Sequence, residues 1–201
     1  MRICITLDDV IRAKTRQFGK ILAKSKGEDP DTYADIEMTS NNLCETFKFK
    51  DKNEFNDFLY KDYPFEVFAE APVMERMLDK KLNLWMLDLK NTEGFEDVEF
   101  ILANPYEFNT SIGYTCFFLS QIATRAREFY FPADHSKIWE RCDILITADP
   151  DLLNEKPEGK IAIKIDAPYN TECESDYSYE SLAKLFEDDE IKEKLSGNDK
   201  D

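Results

Sequence analysis

Met1-Arg-Ile-Cys-Ile-Thr-Leu-Asp-Asp-Val10 opens the chain, and this stretch decides which fold the sequence predicts. Residues 3–5 are apolar, and polar side chains follow abruptly at Thr6, Asp8 and Asp9. A buried parallel strand has this pattern when its carboxyl end delivers side chains to a ligand crevice. We therefore predict a buried strand followed at once by a candidate site.

Strand-like and helix-like runs alternate along the rest of the chain. The predicted strands cover 2–6, 98–103, 128–131, 143–147 and 160–165, and the predicted helices cover about 10–25, 72–89, 111–126 and 178–194, with a helical turn over 136–142. Asp8 or Asp9 is expected to cap the first helix, and Pro72 to lie in the first turn of the second. This alternation predicts an α/β fold with about five parallel strands and helices on both faces.

One segment, roughly 28–70, has a different texture, with many aromatic residues among charged ones. Its aromatic residues are Phe47, Phe49, Phe55, Phe58, Tyr60, Tyr63, Phe65 and Phe68. We expect a small, largely helical insertion within a single domain spanning 1–201, its aromatic rings packing on the main domain or over a pocket. The acidic end of the chain, 195–201, is expected to be a flexible tail.

Composition excludes several classes of function. The net charge of −16, from 42 acidic and 26 basic residues, disfavours direct binding to nucleic acid. No apolar run approaches the length of about 18 residues that spans a membrane. A single His, His135, disfavours His-containing triads and multi-His metal sites. Five scattered Cys without close pairs suit a reducing compartment.

The succession of strands, the insertion after the first helix and the segment Cys-Asp-Ile-Leu-Ile-Thr-Ala-Asp-Pro-Asp (142–151) together resemble one known family. This is the haloacid dehalogenase-like superfamily, in its deoxyribonucleotidase-type branch. The resemblance implies a Rossmannoid three-layer sandwich in which the insertion takes the place of a cap. It also implies an Asp-x-Asp pair after the first strand, of which the first Asp attacks phosphorus and the second is the general acid/base.

The nucleophile and metal positions of that family are altered here. Thr6 stands where the nucleophile is expected, whereas Asp8 retains the acid/base position. The resemblance implies magnesium held between the first-strand acids and one or two acids ending the fourth strand. Those positions are Thr147 and Ala148, so that Asp149, one residue later, is the available acid. If any metal binds, Asp8 and Asp149 are its expected ligands.

The phosphate-holding positions are altered as well. In the family a Ser or Thr ends the second strand, but this chain has Ala103, which cannot donate a side-chain hydrogen bond. Asn104 is a possible substitute donor. Arg125 and Arg127 are possible stand-ins for the cationic residue that the family places further along the chain. Three altered positions together predict a remnant pocket without phosphoryl-transfer chemistry.

Longer stretches carry a narrower resemblance. The segments 7–20, 62–72 and 149–160 resemble proteins carried by tailed gut bacteriophages of the crAss-like group. In that setting such chains are ring-forming parts of the tail or neck.

These observations lead to one expected function and two alternatives. We expect a catalytically inactive structural subunit of the virion, made in the host cytoplasm, without a cofactor, whose partners are copies of itself in a ring and other tail or neck proteins. The first alternative is a cytoplasmic, magnesium-dependent phosphatase or nucleotidase acting on a small phosphorylated metabolite, with Asp8 or Asp149 as nucleophile or metal ligand. The second alternative is a nucleotide-sensing domain that binds without hydrolysis.

Overall fold

The structure is a computed structural model that describes residues 1–34, 36–38, 40–106, 108–122 and 124–195. Its centre is a six-stranded sheet in the order β3-β2-β1-β4-β5-β6, in which every neighbouring pair is parallel. The strands are β1 (Arg2–Thr6), β2 (Glu99–Ala103), β3 (Glu128–Tyr130), β4 (Ile144–Thr147), β5 (Ile161–Ile165) and β6 (Tyr177–Tyr179). The predicted α/β class is confirmed, and each of the five predicted strands is present to within one residue at either end.

Helices cover both faces of this sheet, which makes three layers. They are α1 (Lys14–Ser25), α2 (Leu43–Thr46), α3 (Lys52–Asp57), α4 (Leu78–Lys90), α5 (Asn109–Gln121), α6 (Pro150–Asn154), α7 (Leu182–Glu187) and α8 (Glu190–Leu195). Alternating residues of β1 face opposite layers, so Ile3 and Ile5 pack with α4, α5, α7 and α8, while Cys4 packs with α6 and Trp139. None of the helices in the described residues is long and apolar enough to cross a membrane.

The first helix starts later than the sequence predicts. Residues 7–13 form a tight turn in which the Leu7 carbonyl accepts hydrogen bonds from the N–H groups of Ile11 and Arg12, both at 2.9 Å. The helix then begins at Lys14, without a side-chain cap at its N-cap residue. The predicted cap by Asp8 is wrong because that carboxylate is held by cations, as described below. Asp9 does satisfy a free N–H of the first turn, at 3.0 Å, but from outside the N-cap position.

Three other predicted helices are also corrected. Pro72 does not begin a helix: its carbonyl accepts from the Ala13 N–H at 2.9 Å, and α4 starts at Leu78. The predicted helix over 178–194 is wrong in its first turn, because Tyr177–Tyr179 pairs with β5 as a sixth strand. Helix α5 likewise ends at Gln121, five residues before its predicted end.

Residues of the predicted insertion pack around α1. They contribute α2, α3 and the two π-helical segments Phe58–Asp62 and Phe65–Ala69. Phe18 of α1 is fully buried among four rings of this segment, with centroids 4.9–6.0 Å away: Phe47, Phe49, Phe55 and Phe58. Apart from Leu195, the predicted tail lies outside the described residues.

Candidate functional site

A small polar cavity lies at the carboxyl edge of the sheet, where β1, β2 and β4 end side by side. The parallel register places Thr6 beside Ala103, and Thr147 one residue beyond the partner of Ile5. The cavity measures about 130 Å³, below the roughly 300–1,000 Å³ that is usual for small-molecule sites. Its lining consists of Thr6, Asp8, Asp9, Lys14, Thr15, Asn41, Leu43, Asn104, Pro105, Asp149 and Tyr169.

Asp8 is the most constrained side chain of this cavity. Its Oδ1 accepts hydrogen bonds from Arg12 Nε at 3.0 Å and Nη2 at 2.5 Å. Its Oδ2 accepts from Lys14 Nζ and Asn104 Nδ2, both at 2.9 Å. Both carboxylate oxygens are therefore engaged by donors from the protein, two of which carry full positive charges.

Arg12 connects Asp8 to the rest of the molecule. Its side chain is fully buried and also donates to the Phe68 carbonyl and the Thr115 hydroxyl, each at 2.9 Å, and to the Tyr106 hydroxyl. The guanidinium lies over the rings of Phe68 and Phe118, 5.4 and 5.3 Å from their centroids. One cation thus joins the loop after β1, the second π-helical segment and α5.

The charges of this cluster stabilise one another. Burial alone would raise the pKa of Asp8, but Arg12 and Lys14 outweigh it and lower that pKa to about 2. Burial would lower the pKa of Lys14, and the Asp8 carboxylate instead raises it. Asp8 is therefore ionised and Lys14 protonated throughout the neutral range, so neither side chain is poised to exchange a proton.

Thr6 lies at the position implied for the nucleophile. Its hydroxyl is buried, and it donates to the Thr147 hydroxyl at 3.0 Å. Thr147 in turn accepts from the Asp149 N–H at 3.0 Å. This chain links hydroxyl and amide groups and includes no base that could activate the Thr6 oxygen for attack.

Ala103 and Asn104, the residues predicted near the phosphate, end β2. Ala103 is fully buried and contributes no polar side-chain atom. The Asn104 Oδ1 accepts from the N–H groups of Leu7 and Asp8, at 3.2 and 3.0 Å, while its Nδ2 donates to Asp8. The Asn104 amide therefore fixes the backbone after β1, and its hydrogen-bonding capacity is already in use.

Two further carboxylates line the cavity, and both have raised pKa values because of burial. Asp9 accepts from the Thr15 N–H at 3.0 Å, from the Thr15 hydroxyl at 2.5 Å and from the Tyr169 hydroxyl at 2.9 Å. Asp149 is the N-cap of α6 and accepts from the Asp151 N–H at 2.9 Å. An incoming phosphate would therefore face three carboxylates, and the one lining ammonium, on Lys14, is already paired.

The donor set does not fit the magnesium ion that the family resemblance implies. Magnesium requires oxygen ligands in near-octahedral geometry, usually including one or two carboxylates. Both oxygens of Asp8 instead receive N–H donors, and Lys14 places a positive charge 2.9 Å from Oδ2. No group of three His, Cys, Asp or Glu side chains suited to a metal is found in the part of the chain that the structure describes.

Arg125 and Arg127 do not reach this cavity, so their predicted role as phosphate-holding cations is wrong. They precede β3 and line a groove at the opposite, amino edge of the sheet. A parallel sheet separates its two edges by the length of its strands, and the residues before a strand cannot join those after it.

The sequence analysis missed four residues of this site. Lys14 and Tyr169 line the cavity, and Arg12 and Tyr106 belong to the cluster behind Asp8. The i,i+4 spacing of Asp8 and Arg12 is the local signal that could have revealed the ion pair. The two tyrosines come from distant segments, and nothing in their neighbouring sequence marks them.

Comparisons with known proteins find similarity in structure but not in sequence. No protein-family model matches the chain, and no curated protein sequence matches it. Among solved structures, a protein from Burkholderia xenovorans LB400, described as a haloacid dehalogenase-like hydrolase, aligns over 95% of this chain and 97% of its own. The two are 10% identical, with a TM-score of 0.49. This likeness assigns no residue roles to the present chain.

Proposed function

We propose that this chain is a catalytically inactive structural subunit built on a haloacid dehalogenase-like scaffold, and that it forms a ring component of a phage tail or neck assembly. The scaffold part of the proposal draws on the parallel sheet and on the sequence resemblance at residues 142–151. The assembly part draws on the resemblance of the segments 7–20, 62–72 and 149–160 to proteins of crAss-like phages.

The observation that carries the loss of catalysis is the state of Asp8. A phosphatase of the implied type needs this carboxylate free to bind a metal and to move a proton. Here it accepts four hydrogen bonds, two of them from the buried Arg12 and one from Lys14. These contacts support a structural role for Asp8, in which it stabilises the loop after β1.

Exposed aromatic rings support the assembly role. Phe117 of α5 and Phe65 of the second π-helical segment are 48% and 38% exposed, and their ring centroids lie 5.5 Å apart. Phe108, which precedes α5, is 37% exposed. Clustered exposed aromatic residues are typical anchors of protein–protein contacts, because they bury large apolar areas with few rotatable bonds.

Turnover of a chromogenic phosphate ester with magnesium tests the catalytic half of the proposal. We expect no difference between wild type and Asp8→Asn, because Asp8 serves structure alone. The matched control is Asp176→Asn, which removes an acid that pairs with Lys156 away from the cavity. Magnesium-dependent turnover that is kept in Asp176→Asn and lost in an Asp8→Asn variant whose circular dichroism shows it to be folded would establish the phosphatase alternative instead.

The assembly half is tested by the mass of the purified chain in solution, alone and mixed with the products of neighbouring genes. A defined oligomer, or a defined complex with those products, is the expected result. A chain that stays monomeric with every neighbour would contradict a structural role.

A further inference from the structure

The amino edge of the sheet, opposite the cavity, carries a groove of about 860 Å³. Leu87, Phe100 and Ala126 contribute apolar surface to this groove, and Leu87 is 39% exposed. Three cations also line it: Lys90 at the end of α4, and Arg125 and Arg127 before β3. All three cations belong to exposed residues.

Among the residues that the structure describes, the cations of this groove take part in no ion pair, whereas its acids do. Glu99 pairs with Arg2 at 3.1 Å, and Glu128 lies 3.8 Å from Arg141. Within the described residues, no ion pair involves Lys90, Arg125 or Arg127. A groove that combines apolar side chains with these cations is suited to an acidic protein surface that also brings apolar side chains.

We infer that this groove, defined by Leu87, Lys90, Phe100, Arg125 and Arg127, receives the acidic surface of a second copy of the chain. The inference rests on the proposed assembly role and specifies one of its contacts. The chain has 42 acidic and 26 basic residues, so a second copy offers an excess of carboxylates to the three cations of the groove. Exposed acidic residues away from this groove include Glu172, Glu174 and Glu180.

Such a contact joins two different surfaces, a basic groove on one copy and an acidic face on the next. Contacts of this kind leave a free groove at one end and a free acidic face at the other. Copies therefore add head to tail, and they form a closed ring when the rotation between neighbours closes. A contact between two different surfaces is the type from which a ring can be built, as the proposed function requires.

The test compares wild type with the double variant Arg125→Glu/Arg127→Glu by measuring mass in solution over a range of concentrations. We expect the dissociation constant for self-association to rise by a factor of at least about 100, because like charges then face each other across the contact. Wild-type assembly should also weaken as salt rises, since exposed charge pairs are screened. The matched control is Arg16→Glu/Lys24→Glu, which makes the same charge change at exposed positions of α1 and should assemble as wild type does.

A mixing experiment separates this contact from a symmetric one. The groove variant still carries an intact acidic face, so it can bind the groove of a wild-type copy. Its own groove cannot receive a further copy, so assembly stops there. Added in equal amount, it should therefore shift wild-type rings toward smaller species.

Three results would overturn the inference. Unchanged assembly of the groove variant would show that the groove is not the contact between copies, and would not contradict the proposed function. Equal loss in the α1 control would show that net charge, rather than the groove, governs assembly. A strictly monomeric wild type would remove both the groove contact and the proposed function.

Discussion

Replacement of Arg12 by Met tests whether a buried ion cluster holds this fold together. The Arg12 side chain is fully buried and Asp8 is 15% exposed, so the variant leaves a nearly buried carboxylate without its main partner. Removal of one member of such a pair typically costs about 3–5 kcal/mol. The Phe68 carbonyl and the hydroxyls of Thr115 and Tyr106 lose a donor at the same time. Since the free energy of unfolding of native proteins is about 5–15 kcal/mol, the variant should be only marginally stable.

Urea unfolding followed by circular dichroism measures this loss. The double variant Asp8→Asn/Arg12→Met should be less destabilised than the sum of its single variants, because neither the Arg12 guanidinium nor the Asp8 carboxylate is left without the other. Arg16→Met is the control: Arg16 is exposed on α1, and its loss should change the free energy of unfolding by at most about 0.5 kcal/mol. A loss below about 1 kcal/mol in Arg12→Met would refute the view that this cluster organises the interior.

Three further predictions concern the contacts of Asp8 and the aromatic rings around α1. Because the pKa of Asp8 is lowered from 3.8 to about 2, its stabilising contribution is complete above pH 3.8 and is lost as the pH falls toward 2. In acid urea titrations the stability of Asp8→Asn should therefore decline less steeply than that of wild type over this interval, and an identical decline would contradict the prediction. Lys14→Met removes the ammonium beside Asp8 Oδ2, so magnesium with a dissociation constant of about 1 mM should raise the thermal midpoint of this variant by about 3 °C at 10 mM. An unchanged midpoint would mean that Lys14 does not occupy a position where a cation could bind. Phe18→Ala should lower the free energy of unfolding by about 3–5 kcal/mol, because it removes the ring at the centre of four others, whereas Phe129→Ala, at a ring that is 43% exposed, should lower it far less. Similar losses in urea unfolding would show that the cluster around α1 is loosely packed.

The sequence predicts the sheet well because the strands carry their own signal. β1, β2, β4 and β5 are short apolar runs bounded by polar or charged residues, which is how strands covered on both faces appear in sequence. The sixth strand was missed because Tyr177–Tyr179 spans three residues with alternating burial at the edge of the sheet. Its pairing with β5 depends on tertiary contacts that no local pattern encodes.

Helix starts were predicted less well because the chain satisfies its backbone groups by distant contacts. The sequence pattern of residues 7–13 suits a helix, but the Asn104 Oδ1 accepts from the N–H groups of Leu7 and Asp8 and holds the segment in a turn. In the same way the Pro72 carbonyl binds the N–H of Ala13 rather than starting a helix. Such pairings cross 59 to 97 residues of sequence, so spacing rules do not find them.

The candidate site was predicted in its position but not in its electrostatics. The structure brings Thr6, Asp8 and Asp149 to one cavity, because the carboxyl ends of parallel strands share one edge. The part that could not be predicted is the set of partners of Asp8. Its cations come from the following turn and from the first residue of α1, whereas the groups that enclose Arg12 come from segments 56 to 106 residues away.

The thermal midpoint of the wild-type chain with and without magnesium tests most directly whether Lys14 and Arg12 occupy the role of a metal at Asp8. We predict a change of less than about 1 °C at 10 mM magnesium, because both oxygens of Asp8 already accept hydrogen bonds from the protein. A rise of about 5 °C or more that disappears in Asp8→Asn would mean that the ion displaces Lys14, and would contradict the account.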